Sequence, residues 1–480
     1  MWENINAVKF INRHSEIRTL KAEYEREGSS FVVVYGRRRQ GKTTLLSKFA
    51  KDYPNTIYYF ADRESEAQQI EQFKNLVALK SGDGFMTDVV FGHWDKAIEY
   101  YVQRTDFTQK ALLIIDEFQY LAMVNPAFPS MLQRYWDMIL KHKNIMLILC
   151  GSSLSMLYST VLSYNSPLYG RRTAQIHLKN IHFSYFGEFL PQLTDARRLV
   201  EFYAITSGVP KYIELLDKEA DVYSNILKFY LTKDSFLYHD AKFLLIDEVR
   251  EPVNYFSILK TIAAGNHKMA DICNRMEVQS PKITPYLEAL RELDLVERRV
   301  PITESHPEKS KRGLYFIKDQ YMRFWFRYVF PFQSFLELGQ TEWVMSKIRA
   351  EFDQYVSLIF EDICRSMISV WFGAKYNQIG SHWESSLEID IAAHSEDKKD
   401  ILYGECKWRE QPVGKDVLDE LVEKVKAITP WHSNKKARIC YALFSKNGFT
   451  DELRKMASDK LILIDFSTLE VKTSEAIATE

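Results

Sequence analysis

An α/β fold built on a parallel sheet is predicted by three apolar stretches that each end in a small or acidic polar turn. The first is Phe31-Val-Val-Val-Tyr35, closed by Gly36; Gly41-Lys42-Thr43 and a helical run to Phe49 follow. The second is Ala111-Leu-Leu-Ile-Ile115, ending in Asp116-Glu117. The third, Ile145-Met-Leu-Ile-Leu-Cys150, stops at Gly151-Ser152-Ser153. Apolar strands alternating with helical segments are the pattern of a sheet crossed over by helices.

The first turn carries its own chemistry. Gly36 to Thr43 reads G-x-x-x-x-G-K-T between a strand and a helix, the context of a phosphate-binding loop. Glycines let successive amides point inward, and the helix that follows adds its positive end. Gly36, Gln40, Gly41, Lys42, Thr43 and Thr44 are therefore the candidate nucleotide cradle, with Lys42 on the β- and γ-phosphates and Thr43 on magnesium. ATP and Mg²⁺ are the expected cofactors. Asp116 ends its strand beside this loop, where ligands collect in open sheets, and would complete the magnesium shell. Glu117 would polarise the attacking water. The competing assignment for this pair is a buried strand with a solvated acidic turn. Ser152 stands where a γ-phosphate sensor is needed, although a plain strand-to-turn junction accounts for it equally. Arg171, in Pro167-Leu-Tyr-Gly-Arg171, would stabilise phosphoryl charge; its alternative is a surface salt bridge.

The remaining elements of the first third follow from local signals. Ser15 is the expected cap of a helix to about Glu27, with Gly28 just past its end. Asn55 to Phe60 reads as a strand, and 65–79 as a polar helix.

Taken together, Phe10-Ile-Asn-Arg13, Gly36 to Thr43, Ile115-Asp-Glu117, Cys150 to Ser153, Pro167 to Arg171 and Ser207-Gly-Val-Pro-Lys-Tyr212 resemble the archaeal-type prokaryotic ATPases, P-loop proteins related to the AAA+ and STAND classes. The resemblance covers essentially the whole chain. It implies an ATPase core at 1–180 and a helical lid at 181–248 in which Gly208 and Pro210 lie near the nucleotide base. The family usually has glycine where this chain has Asn12, a residue that also tolerates positive φ.

Downstream, two short helical runs, Phe256 to Ala263 and Lys268 to Arg275, precede a third that opens at Ser280-Pro281. Strands Leu295 to Val300 and Leu314 to Ile317 enclose a polar loop with Lys309, Lys311 and Arg312. Three helices and a hairpin predict a winged helix-turn-helix at 249–335, used either on double-stranded DNA or for protein contacts.

In the last quarter, Leu387-Glu-Ile-Asp-Ile391 alternates apolar and acidic residues, and Ile401 to Trp408 returns with Glu405 and Lys407 on one face. A turn centred between Asp397 and Lys398 sets Asp390 opposite Glu405, and Glu388 opposite Lys407. Facing carboxylates repel unless a cation lies between them, and magnesium is the simplest one. The alternative is a solvent-facing charged hairpin with a Glu388–Lys407 pair. The order D…E-x-K resembles the PD-(D/E)xK nuclease fold, which implies a restriction-endonuclease-like α/β domain at 336–480. By that resemblance Asp390 and Glu405 bind the metal, Lys407 positions or activates water, and Glu361, in the helical run Tyr355 to Met367, supplies a further carboxylate. A fold of this kind that binds without cutting is a third possibility. Lys446, after another core strand, would touch substrate.

Bulk composition narrows the rest. Across 480 residues, 63 basic and 64 acidic side chains give a net charge of −1, so no whole-chain field draws nucleic acid. The five cysteines are scattered without a CxxC pair, which argues against a zinc cage or disulfide framework. No leader-like apolar core appears in Met1 to Arg13 and no membrane span elsewhere, so the expected location is cytoplasmic. Expected partners are ATP, double-stranded DNA, and a second copy or a partner protein.

Overall fold

The computed structural model describes residues 10–249, 251–384, 387–428 and 437–467. Residues 1–9, part of the leader reading, and 468–480 of the expected last domain lie outside these. The chain divides into two units. The first is the chain up to Asn180 together with Asp247–Val249; the second is Ile181–Ile246 and the chain from 250 onward.

The first unit is a five-stranded parallel sheet in the order β2-β3-β4-β1-β5. Its strands are β1 (Ser30–Tyr35), β2 (Thr56–Phe60), β3 (Ala111–Asp116), β4 (Ile145–Gly151) and β5 (Ala174–His177). Every residue of β1, β3 and β4 is buried, as expected where helices cover both faces. The register sets Tyr35 beside Gly151 and Phe60 beside Asp116, so the loops after β1, β3 and β4 open at one edge of the sheet. The edge strand β5 is too short to announce itself by pattern. The polar helix is Glu66–Ser81, opened by a Ser65–Gln68 capping box.

The N-terminal helix corrects one expectation. It runs His14–Glu25 with Arg13, not Ser15, at the cap position. Asn12 and Arg13 are both left-handed, at φ 60° and 75°. That double turn aims the Arg13 guanidinium at the carbonyls of Gln40 (3.1 Å) and Lys179 (2.7 Å), while the Ser15 hydroxyl merely donates to Glu16.

The second unit begins with helices Phe183–Phe189, Ala196–Thr206, Pro210–Leu215 and Phe236–Ile246. Phe183 and Phe186 are core residues that meet Tyr203 edge-on. Helices Pro252–Ala263, Met269–Met276 and Ser280–Glu292 follow, the last capped by Gln279 rather than Ser280. Next comes the antiparallel hairpin β6 (Val296–Arg299) and β7 (Leu314–Ile317). A 32-residue helix, Thr341–Phe372, leads into a mixed sheet ordered β12-β11-β10-β9-β8. Its strands are β8 (Gln378–Trp383), β9 (Glu388–His394), β10 (Asp400–Lys407), β11 (Arg438–Ser445) and β12 (Leu461–Asp465). Leu421 and Val425 of helix Lys415–Ala427 pack on Ile389, Ile401 and Leu443. No helix among the described residues is long and apolar enough to cross a membrane.

One buried acid predicts a pH effect on stability. Burial pushes the Glu201 carboxyl up from 4.5 to about 7, against the pull of Lys446. The folded state therefore holds a proton that the unfolded chain has released. Glu201 supports the fold fully below its unfolded value, and that support is lost as pH rises through about 7. Glu201→Gln should gain on wild type by roughly 1–2 kcal/mol between pH 5 and 8. Urea unfolding at both pH values checks this; parallel pH profiles would contradict it.

Candidate active site

The loop of the first unit is shaped by its backbone. Gly36 is at φ 154°, and a Cβ there would meet Leu178 O at 2.4 Å and Gln40 Oε1 at 2.5 Å, so no side chain fits. Arg39 (φ 71°) and Gly41 (φ 88°) are left-handed, and helix Lys42–Ala50 starts at once after them. Gln40 donates to Asn180 Oδ1 at 2.9 Å, while its buried Oε1 has no hydrogen-bond partner. Lys42 is buried and folded back, with Nζ donating to the carbonyls of Gly36 (2.8 Å) and Arg37 (2.9 Å). Burial holds this ammonium below its ordinary value, against the attraction of Cys150, Glu117 and Asp116.

Asp116 is completely buried at the end of β3. Its Oδ2 accepts from the Thr43 hydroxyl (2.9 Å) and the Tyr58 hydroxyl (2.6 Å), and its Oδ1 from the Glu117 amide (2.9 Å). A hydroxyl and a carboxylate in contact under a lysine-bearing loop are the oxygen donor set that magnesium prefers, so these residues fit the cofactors expected of them. Thr44 follows on the same helix, half-buried.

Glu117 is left-handed at φ 54°, an uncommon state for a side chain of its size. Glu117 Oε2 accepts from Ser152 Oγ at 2.8 Å and from Gln119 Nε2, and Gln119 in turn donates to Ser152 at 3.2 Å. Ser152 thus contacts the carboxylate directly. Gln119 was missed by the sequence reading, although it stands two residues past Glu117 in the same motif. Arg171 is not brought to this cluster. Its guanidinium forks onto Asp137 (2.8–3.2 Å) and caps the carbonyls of Pro167 and Tyr169.

In the second unit, Gly208 is left-handed at φ 70°, and a Cβ there would lie 2.2 Å from Ile181 O. Pro210 opens helix Pro210–Leu215, where its missing N–H costs nothing.

The same unit gathers the acidic residues of its sheet. The pairing Ile401–His394 to Gly404–Ile391, continued one step, sets Glu405 opposite Asp390. Asp390 Oδ2 accepts from the Cys406 amide at 2.8 Å. Burial and the facing Glu405 push the Asp390 carboxyl up to about 7. Burial, then Asp390, hold the Glu361 carboxyl well above its ordinary range. Glu405 Oε1 accepts from Lys407 (2.8 Å) and from Lys424 (3.1 Å), a residue the sequence reading passed over. Lys407 therefore pairs with Glu405 and not with the exposed Glu388. Glu405 Oε2 is buried without a hydrogen-bond partner. Two facing carboxylates with such an orphaned oxygen fit an oxygen-ligated cation. Even so, no cluster of three or more His, Cys, Asp or Glu side chains arranged for a metal occurs among the described residues. Lys446 is occupied by Asp353 (3.2 Å) and Glu410 (2.5 Å).

Known proteins resemble the chain in two blocks. A model of an ATPase domain predominantly from Archaea matches residues 10–216, and one of archaeal and bacterial proteins of unknown function matches 325–424. Uncharacterized protein MJECL04 of Methanocaldococcus jannaschii is 35% identical over 421 residues, 87% of this chain and 90% of that protein. Uncharacterized protein MJ1637 of the same organism is 23% identical over 303 residues, 58% of each. The Walker-type ATPase PABY2304 of Pyrococcus abyssi covers 66% of this chain and 96% of its own at 18% identity, with a TM-score of 0.45.

Proposed function

This chain belongs to the family of MJECL04 of M. jannaschii, and we propose that it binds and hydrolyses ATP with magnesium at the Gly36–Thr44 loop, the nucleotide state controlling a nuclease-like, DNA-binding output. One observation carries the ATPase reading: the Thr43 hydroxyl touches Asp116 beneath a loop whose Lys42 ammonium lies on two loop carbonyls. Those carbonyls are weak partners for an ammonium, and phosphate oxygens are strong ones, so Lys42 exchanges them when a triphosphate enters. Thr43 and Asp116 hold magnesium, which supplies positive charge against the phosphate oxygens. Glu117 accepts a proton from water as the water oxygen bonds to the γ-phosphorus and the bond from that phosphorus to the β–γ bridging oxygen breaks, releasing ADP and phosphate. Ser152 and Gln119 keep the acceptor oxygen aimed.

The domain limits that accompany this reading are the ATPase core at 1–180, the lid at 181–248, a winged helix at 249–335 and the nuclease-like domain at 336–480. In the last, Asp390 and Glu405 hold the metal, Lys407 positions water and Glu361 adds a carboxylate. Double-stranded DNA is the proposed substrate. A second reading, a nucleotide switch that binds DNA or a protein partner without cutting, is favoured by one observation: Glu405 Oε1 is already neutralised by two lysines.

Phosphate release from purified protein tests the engine. Lys42→Ala should lower release to background and strongly weaken ATP binding, since it removes the ammonium that lies on the loop carbonyls. Equal release from variant and wild type would refute the assignment.

A further inference from the structure

The triple arginine of the loop, Arg37 to Arg39, has no part in the mechanism so far, and its middle member Arg38 pairs with Asp247. We propose that Arg38 grips the terminal phosphate of a bound nucleoside triphosphate and that Asp247 holds it back while the loop is empty. The proposal deepens the ATPase reading and rests on it.

Arg38 lies within the cradle itself, between Gly36 and Gly41. Its Nη2 reaches the Tyr120 hydroxyl at 3.3 Å, and Tyr120 stands three residues past Glu117. The guanidinium therefore leans from the phosphate loop toward the turn that carries the water-activating carboxylate. Its Nη1 is paired with Asp247. Both partners remain about one-third exposed, at 33% and 35%, and ion pairs that open to water contribute little. An arginine offered phosphate oxygens makes stronger, forked bonds, so the exchange from carboxylate to phosphate is favourable. Arg171, the arginine first expected to meet the phosphate, is committed to Asp137 and two backbone carbonyls.

Asp247 is held in place independently of Arg38. It belongs to Asp247–Val249, a segment after Asn180 that is part of the first unit. Its neighbour Glu248 is anchored by the Leu154 amide (3.3 Å), the Ser155 amide (3.2 Å) and the hydroxyls of Ser153 (3.3 Å) and Ser155 (3.1 Å). The Ser153–Ser155 turn comes directly after Ser152. Asp247 is thus a tethered counter-carboxylate beside a site for a polyanion. It competes with the γ-phosphate for Arg38.

Fluorescent ADP and a fluorescent non-hydrolysable ATP analogue, titrated into the full chain, separate the outcomes. Arg38→Ala should weaken the ATP analogue at least about tenfold and leave ADP within about twofold, because only the triphosphate offers the terminal group. Arg38→Lys should recover part of the loss. Asp247→Asn should tighten the ATP analogue by roughly three- to tenfold, and it should be silent in the Arg38→Ala background. The ADP affinity of each variant reports that the loop is folded. Parallel losses for both nucleotides in Arg38→Ala and Arg38→Lys, an unchanged ATP-analogue affinity, or weaker binding by Asp247→Asn would overturn the proposal. A wild type that binds neither nucleotide refutes the ATPase reading instead.

Discussion

Glu117→Gln should leave ATP binding within a few-fold of wild type and slow phosphate release by roughly 10²–10⁴-fold, the usual worth of a positioned general base. The substitution keeps the shape of the side chain and removes the proton acceptor. The geometry explains why binding survives. In the proposed mechanism contacts to phosphate come from the loop and Lys42, while the Glu117 side chain bonds to Ser152 and Gln119. Its backbone is fixed separately. The left-handed turn at φ 54° is pinned by the Glu117 amide on Asp116 Oδ1 and by the Phe118 amide on Cys150 O, both at 2.9 Å. A residue of this size in that conformation costs about 1–3 kcal/mol, and amide replacement does not relax it. Equilibrium binding and single-turnover hydrolysis of the same preparation separate the two effects. A variant that releases phosphate at the wild-type rate would remove Glu117 from the mechanism.

Much of this site was legible because its information is local. The spacing from Gly36 to Thr43 dictates the turn, and an apolar strand ending in Asp-Glu puts the carboxylates at the loop edge. Period-two alternation predicted the faces of β9 and β10, and a turn centred between Asp397 and Lys398 predicted their register, in which Ile391 pairs with Gly404. Partner choice was less legible. Arg171 and Asp137 are 34 residues apart, and Arg38 and Asp247 are 209 apart. Nothing in either short stretch shows which acid an arginine will meet once the chain is folded. Length was also missed: the helical reading covers Tyr355 to Met367, whereas buried Val344, Met345, Ile348 and Phe352 carry the apolar stripe of the 32-residue helix further toward its start. Strands β8 and β12 are short and lie at the two edges of their sheet, where burial imposes little pattern.

Asp390→Asn should abolish metal-dependent DNA cleavage, lowering nicking of a supercoiled plasmid by at least about 10²-fold, since charge stabilisation by a metal is worth several kcal/mol. Asp390 Oδ2 accepts from the Cys406 amide at 2.8 Å, a bond that an asparagine side-chain oxygen can keep. The carboxylate lies opposite Glu405 in the extended register, and burial followed by that facing carboxylate raises its proton affinity. A neutral amide should be easier to bury there, so the folded variant should be at least as stable as wild type without metal. Loss of cleavage with retained stability would separate chemistry from folding. Plasmid should be incubated with Mg²⁺ or Mn²⁺, with and without ATP, beside Lys407→Ala. The two lysines on Glu405 make the result decisive between the readings. If they only balance the charge of an inert carboxylate, wild type and Asp390→Asn leave the plasmid equally intact in every condition, and the non-cutting switch stands. If they are displaced when metal binds, wild type cuts, Lys407→Ala cuts slowly, and Asp390→Asn does not cut.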